Sequence, residues 1–549
     1  MSAPGFEWKT YALPAQAGSA LRTLETGAGA DEPLTIELPD LTAWPAPLDK
    51  ARILLESAAE VEHALLVQYL YAEYSLKHSE DVSDPDQRSA IDDWSFVAHK
   101  IAREEMGHLM TVQNLLLALG LAPSFEREDF PPRKDLYPFA LHLEPLSQRS
   151  LAKYVMAEAP ADASGIDDIA ALATASAGTT VNRVGVLYGL LALVFSTAEQ
   201  LPAGPAGEPW AEMLRRLAAA AYQQAPDEAW HLPDGAIDDQ TLERQANPSS
   251  WQRGSVRVHQ IADRASALDA IRDVAEQGEG LTGDQEESHF GRLLGMYRGG
   301  DASLPFPAAG AWVPTRAVPT DPRTDDIAEP RTRRWTQLGD LRYALLLGFV
   351  EHHLLTSDED QRSTLAGWTF SEMFQLGPIA RTLTTLPSGP GVGAFAFALS
   401  APQHLPATEA ERWAIHEART RAAIATVEEL QGADPADAED GLLTDLLASD
   451  RERLEQIAAA TSAPGSGSGA TTSFARDVLA LFRPIDIEHM IDQVGMDLGQ
   501  YEVVRNSARA ISERVKSRGP RRMPPPPDPP WTEDQTALFD RWVAEGFPQ

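Results

Sequence analysis

The chain has 549 residues, with 46 lysines and arginines against 81 aspartates and glutamates, a formal net charge of −35, and no cysteine. That charge repels nucleic acid and anionic membrane surfaces. The missing thiols exclude disulfides, iron–sulfur clusters, zinc–thiolate sites and cysteine nucleophiles, so any metal has to be held by carboxylate and imidazole.

The length exceeds what one growing core supports and predicts two large helical domains with a small C-terminal module. The N-terminus has no basic start followed by an apolar run, so no signal peptide is expected. No apolar stretch is long enough to span a bilayer, residues 184–196 being too short, and the expected location is the cytoplasm. Residues 1–48 are proline-rich and irregular, with a strand expected near 34–38. Helical periodicity then begins. Leu55, Ala59, Glu62, Leu66, Tyr69 and Glu73 share one face of a first helix, and Phe96, Val97, Ile101, Glu105, His108, Val112 and Leu116 share one face of a second. The proline- and aromatic-rich stretch 120–148 predicts a functional loop or lid. A third helix is expected over 179–198, and two more over 265–276 and 286–297, separated by Gly278 and Gly280. Residues 330–460 read as a second helical region, 461–473 as a flexible linker, and 474–549 as a small helical module.

Glu105-Met106-Gly107-His108 is a Glu-x-x-His pair, whose members lie on one helix face. Dinuclear carboxylate bundles combine one glutamate from each of two helices with a Glu-x-x-His pair from each of two others. The sequence offers every part. Glu62 is a lone carboxylate in the apolar run AAEVEHALLVQYLYA, where burial demands a partner. Glu286 and His289 form a second Glu-x-x-His, and Glu276 or Glu279 supplies the remaining carboxylate. Oxygen and nitrogen donors without sulfur suit iron, or manganese as the alternative ion. Structural alternatives stand beside these. Asp284 and Glu287 fit a capping box, His289 fits a core histidine, and Glu60, His63, His99 and Glu104 fit an outer face or a layer behind the ligands. Glu351-His352-His353 reads as a helix C-terminus, and the glycines of 389–393 as a loop.

The segments AAEVEHALLVQYLYAEYSL, IAREEMGHLMTVQNLLLALG, YPFALHLEPLSQRSLAKYVMAEAP, AIRDVAEQGEG and SHFGRLLGMY together resemble a ferritin-like family. That family includes the ferritin-like part of the iminophenyl-pyruvate dimer synthases of the violacein and rebeccamycin pathways. The resemblance covers about residues 50–400, PIARTLTTLPSG included. It implies an all-α fold: a ferritin-like four-helix bundle over 49–300, then the second helical region and the C-terminal module. Glu62, Glu105, His108, Glu279 and His289 match the family's recurring polar positions, and Glu286 fits the bundle design. Tyr188 matches a tyrosine that the family places on its third helix. Val186 stands where many ferritin-like proteins carry a carboxylate, so Glu279, at the glycine break, is expected in its place. The synthases carry an additional N-terminal half with no counterpart here, which puts imine coupling second among the expected reactions.

LFRPIDIEHM, MDLGQYEVVRNSARAISERV, MPPPPDPPW and LFDRWVAEGFP resemble a small helical module appended to bacterial oxidative proteins. Asp486, Glu488 and His489 there fit a capped helix start better than a metal site, and Trp531 and Trp542 are expected to staple the module to the main body.

The expected function is that of a non-haem diiron oxidoreductase of bacterial natural-product biosynthesis. It would use dioxygen or peroxide to oxidise a small amino-acid-derived or aromatic substrate, with metal ligands Glu62, Glu105, His108, Glu279, Glu286 and His289 and Tyr188 as a catalytic proton donor. The alternatives are oxidative coupling of α-imino acids and a non-catalytic metal-binding or scaffold role. A small-molecule substrate and a homodimer are the expected partners; nucleic acid and membrane are not.

Overall fold

The structure is a computed structural model. It describes residues 7–13, 35–132, 141–160, 163–178, 184–197, 199, 209–251, 255–279, 287–300, 304–308, 310–399, 404–406, 408–433, 440–462, 473–474, 478–483, 486–487, 490, 496–516, 523–524, 531, 533–544 and 546–548. It is mostly helical. The chain divides into two compact units, residues 1–404 with 422–447, and residues 405–421 with 448–549.

In the first unit, β1 (Trp8–Ala12) pairs antiparallel with β2 (Thr35–Pro39), close to where a strand is expected. Then come α1 (Pro47–Tyr74) and α2 (Pro85–Ala118). Both start on proline, whose missing N–H costs nothing in a first turn. Asp84 caps α2 by accepting from the N–H groups of Asp86 and Gln87, each at 3.0 Å. The buried stripe of α2 begins with Ile91, Trp94 and Ala98, whereas Phe96, expected on it, is exposed. The helix therefore starts a few turns earlier, and on a different face, than the apolar pattern around 96 suggests.

The short helices α3 (Gln148–Ala157) and α4 (Asp167–Ala177) lie in sequence not read as helical. A Ser147–Ser150 capping box opens α3. After α5 (Gly185–Phe195), α6 (Pro209–Ala221) and α7 (Pro248–Trp251) come α8 (Arg264–Glu279) and α9 (His289–Arg298). Helix α1 packs on α2 and α5, and α8 packs on α5 and α2, which closes a four-helix bundle. Helices α3 and α9 pack on each other beside it. The α9 cap is Ser288, which accepts from Gly291 N–H at 3.1 Å. His289 is thus the first helical residue, three positions later than the Glu-x-x-His spacing requires. Asp284 lies outside the described residues.

Helices α10 (Pro330–Leu355) and α11 (Glu359–Leu383) pack as a pair, and the rings of Tyr74 and Phe397 stack between α1 and the segment after α11, 6.5 Å apart. The glycines around 390 form a tight hairpin, β3 (Pro387–Ser388) with β4 (Gly391–Val392), where Gly389 adopts φ 55°. Helices α12 (Glu409–Ala433) and α13 (Asp440–Ser462) follow.

In the second unit, α14 (Tyr501–Asn506), α15 (Ala508–Lys516) and α16 (Glu533–Ala544) enclose an aromatic core of Phe474, Phe482, Phe539 and Trp542, with Trp531 packed against it. Among the described residues both tryptophans pack within the module, Trp542 in its core and Trp531 against it. Asp486 accepts from the Arg483 side chain at 2.6 and 2.8 Å and from its N–H at 3.1 Å; Glu488 and His489 lie outside the described residues. Among the described residues no helix is long and apolar enough to cross a membrane.

Candidate metal centre

The middle of α1 carries Glu62, and the middle of α2 carries Glu105 and His108. Gly107, between the last two, lets α2 approach the 255–262 segment: a Cβ there would lie 2.3 Å from the carbonyl oxygen of Arg257. The backbone contact fixes α2 axially, so Glu105 and His108 face α1 at the depth of Glu62. Glu158 follows the last residue of α3, and His289 opens α9. All five are buried, at 2% exposure for Glu62 and Glu105, 5% for His108, 3% for Glu158 and 0% for His289.

Glu105 sits between the two histidines. Its Oε2 is 2.8 Å from His108 Nδ1, and its Oε1 is 3.1 Å from His289 Nδ1. Glu62 Oε2 lies 3.4 Å from His108 Nδ1, and Glu158 Oε2 lies 3.9 Å from His289 Nδ1. The side chains thereby form two overlapping groups, Glu62–Glu105–His108 and Glu105–Glu158–His289, with donor atoms in each within 4.8 Å of one another. The imidazole centroids are 5.4 Å apart.

The far nitrogen of each ring is spoken for. His108 Nε2 is 3.1 Å from Gln277 Oε1 on α8, and His289 Nε2 is 3.2 Å from Glu104 Oε2 on α2. Since both partners accept, each Nε2 carries the proton and each Nδ1 turns toward the carboxylates. Tyr188 of α5 donates to Glu62 Oε1, and Tyr69 of α1 donates to Glu158 Oε1 at 2.6 Å. A narrow cavity of about 10 Å³, room for about one water, adjoins the group, its walls completed by Leu65, Val184, Gly185, Tyr188, Val274, Ala275 and Gly278.

Burial, with Glu105 beside it, pushes the Glu62 carboxyl up to about 8. Burial also raises Glu158, with Glu105 adding to it. Glu105 itself is lowered: burial opposes its charge, but His289 and His108 flank it and win. Burial likewise opposes the charge on His289, yet Glu105 and Glu104 raise it to about 9. The group thus takes up protons to offset three packed carboxylates, which is how crowded acids behave with no other positive charge among them. Glu62 Oε2 and His289 Nδ1 are buried and make no hydrogen bond. Unsatisfied atoms in a dry interior are costly, and here both belong to donors that suit a cation. The residues fit a dinuclear metal site.

Of the residues expected from sequence, Glu62, Glu105, His108, His289 and Tyr188 come together. Glu276 does not: it pairs with Arg272 at 2.5 Å, as i, i+4 spacing on a helix favours. Glu286 and the side chain of Glu279 lie outside the described residues. Glu158, Tyr69, Gln277 and the tie from Glu104 to His289 were not foreseen. Glu158 had a signal, since it too is a lone acid in an apolar stretch, YVMAEAP. His63 turns to another face and bonds Tyr343 of α10.

Residues 55–298 match the ferritin-like family, and this stretch is a ferritin-like domain. The chain is also distantly similar to the 2-imino-3-(indol-3-yl)propanoate dimerase of Chromobacterium violaceum, at 26% identity over 385 residues. That alignment takes in 63% of this chain and 34% of the dimerase, so the chain spans about a third of its relative's length. No solved structure matches the chain.

Proposed function

We propose that this protein is a dinuclear non-haem iron oxidoreductase that oxidises a small amino-acid-derived or aromatic molecule at the expense of dioxygen or peroxide. The observation that carries the reading is the enclosure of three carboxylates and two imidazoles whose inward atoms, Glu62 Oε2 and His289 Nδ1, have no hydrogen-bond partner. Glu62, Glu105 and His108 would hold one ion, and Glu105, Glu158 and His289 the other. Iron bound there would supply the redox chemistry.

The chain's own groups do the rest. Glu105 offers one oxygen to each side. Tyr69 and Tyr188 orient the outer carboxylates, and burial and the neighbouring carboxylates keep both phenols protonated. Tyr188 lines the cavity beside Glu62 and His108, and its hydroxyl, which donates to Glu62, is a proton source at the centre. Apolar residues of α5 and α8 border the centre.

Elemental analysis after anaerobic reconstitution with ferrous iron tests the centre, with about two irons per chain expected; none would end the proposal. A second reading, oxidative coupling of an aromatic α-imino acid, is favoured by the similarity to the dimerase. Supplying the iron-loaded protein with an aromatic amino acid and an amino-acid oxidase separates the two, since only coupling yields a dimer. A His108→Ala protein that loses metal yet supports full product formation would remove the enzymatic reading altogether.

A further inference from the structure

The donors of the two half-sites are matched. Each has one carboxylate of its own, Glu62 or Glu158, a share of Glu105, and one imidazole presenting Nδ1. Each private carboxylate is held by one tyrosine hydroxyl. The halves differ in what stands behind the imidazoles: the neutral amide of Gln277 behind His108, and the carboxylate of Glu104 behind His289. A carboxylate on the far N–H makes an imidazole a stronger donor, and such partners are worth about 10–100-fold in metal affinity.

Resting on the dinuclear reading above, we propose that the two positions are unequal: the Glu105–Glu158–His289 position fills first and tighter, and Glu104 and Gln277 act as positioning residues that set the order. Two neighbours work against this. The amino end of α9, beside His289, disfavours a cation by a smaller amount than a charged hydrogen-bond partner gains. Arg292 draws on Glu104 from 2.5 Å, but Glu287 shares that guanidinium at 2.9 Å.

The test is anaerobic titration of the full-length, metal-stripped protein with ferrous iron by calorimetry, repeated with cobalt(II) by visible absorption. Two steps are expected, separated by about 10–100-fold. His289→Ala removes the tight step, and His108→Ala the weak one. Glu104→Gln weakens the tight step by about tenfold or more, whereas Gln277→Glu tightens the weak step, a gain that a merely structural role would not produce. Two equal steps in the native chain, or tight binding that survives His289→Ala, would overturn the inequivalence and leave the dinuclear reading standing. Uptake of no ion would overturn both.

Discussion

Around Arg362 and His353, where α10 gives way to α11, buried charge is closed off completely; around Glu105 it is not. Arg362 donates to the carbonyls of Arg244 at 2.7 Å, His353 at 2.7 Å and Gln245 at 2.6 Å. His353 donates from Nδ1 to the Arg362 carbonyl at 2.9 Å and accepts on Nε2 from the Trp251 indole at 2.9 Å. Both terminal nitrogens of Arg362 and both ring nitrogens of His353 have a use within the chain, and the knot ties the end of α10 to the 244–251 segment. The glutamate–histidine group is as deeply buried, yet it leaves two inward atoms unbonded and stores protons between its acids. Burial of ionisable groups therefore does not by itself mark a site. What marks one is a set of donors with converging, unspent valence.

The contrast predicts opposite failures. Glu105→Ala removes the group shared by both half-sites, so bound metal should fall from about two ions per chain to none. Stabilisation by added metal should vanish with it, a loss of about 2.7 kcal/mol for each ion at a free concentration 100 times its Kd. Thermal unfolding with and without ferrous iron, alongside elemental analysis, reads both. Arg362→Ala should do the reverse. It orphans three buried carbonyls at roughly 1 kcal/mol or more each, for a total of roughly 3 kcal/mol, while the folded fraction keeps its metal. An Arg362→Ala chain of native stability and depleted metal would break the comparison.

The better-read half of the centre was the half built on long helices. Glu62 interrupts an apolar stripe, and Glu105 with His108 occupies one turn of α2, so periodicity alone put them on facing surfaces. The other half comes from helix ends. Glu158 closes a ten-residue helix and His289 opens another, and a helix terminus has no periodic signature to place it in space. His289 is expected from the family resemblance and from a helical spacing to Glu286, and the spacing does not place it, since α9 begins at His289 itself. Gln277 carries no charge and no motif, so nothing in the sequence sets it apart from other surface glutamines. Tyr188 was legible through family resemblance alone, because its meaning comes from Glu62 across the bundle. Of the supporting shell, only the Glu276–Arg272 pair could have been read from spacing, and that reading would have removed Glu276 from the ligands.

The smallest expected effect concerns pH, at the closed cluster. Burial, reinforced by the Arg362 charge, lowers His353 from its ordinary value to about 3. The unfolded chain takes up that proton near pH 6.5 and the folded chain only near 3, so in between the unfolded state binds more protons. Stability then falls as pH falls through this window, by up to about 1.4 kcal/mol per pH unit. His353→Gln keeps an acceptor for Trp251 and a donor for the Arg362 carbonyl but cannot titrate. The native chain's stability should therefore drop relative to the glutamine variant by roughly 2 kcal/mol between pH 7 and pH 5, read from urea unfolding midpoints. Parallel profiles would mean that the folded chain takes up the His353 proton at the same pH as the unfolded chain, near 6.5. A cation would then face Arg362 across the knot, and that cluster would no longer be the satisfied counterpart of the centre around Glu105.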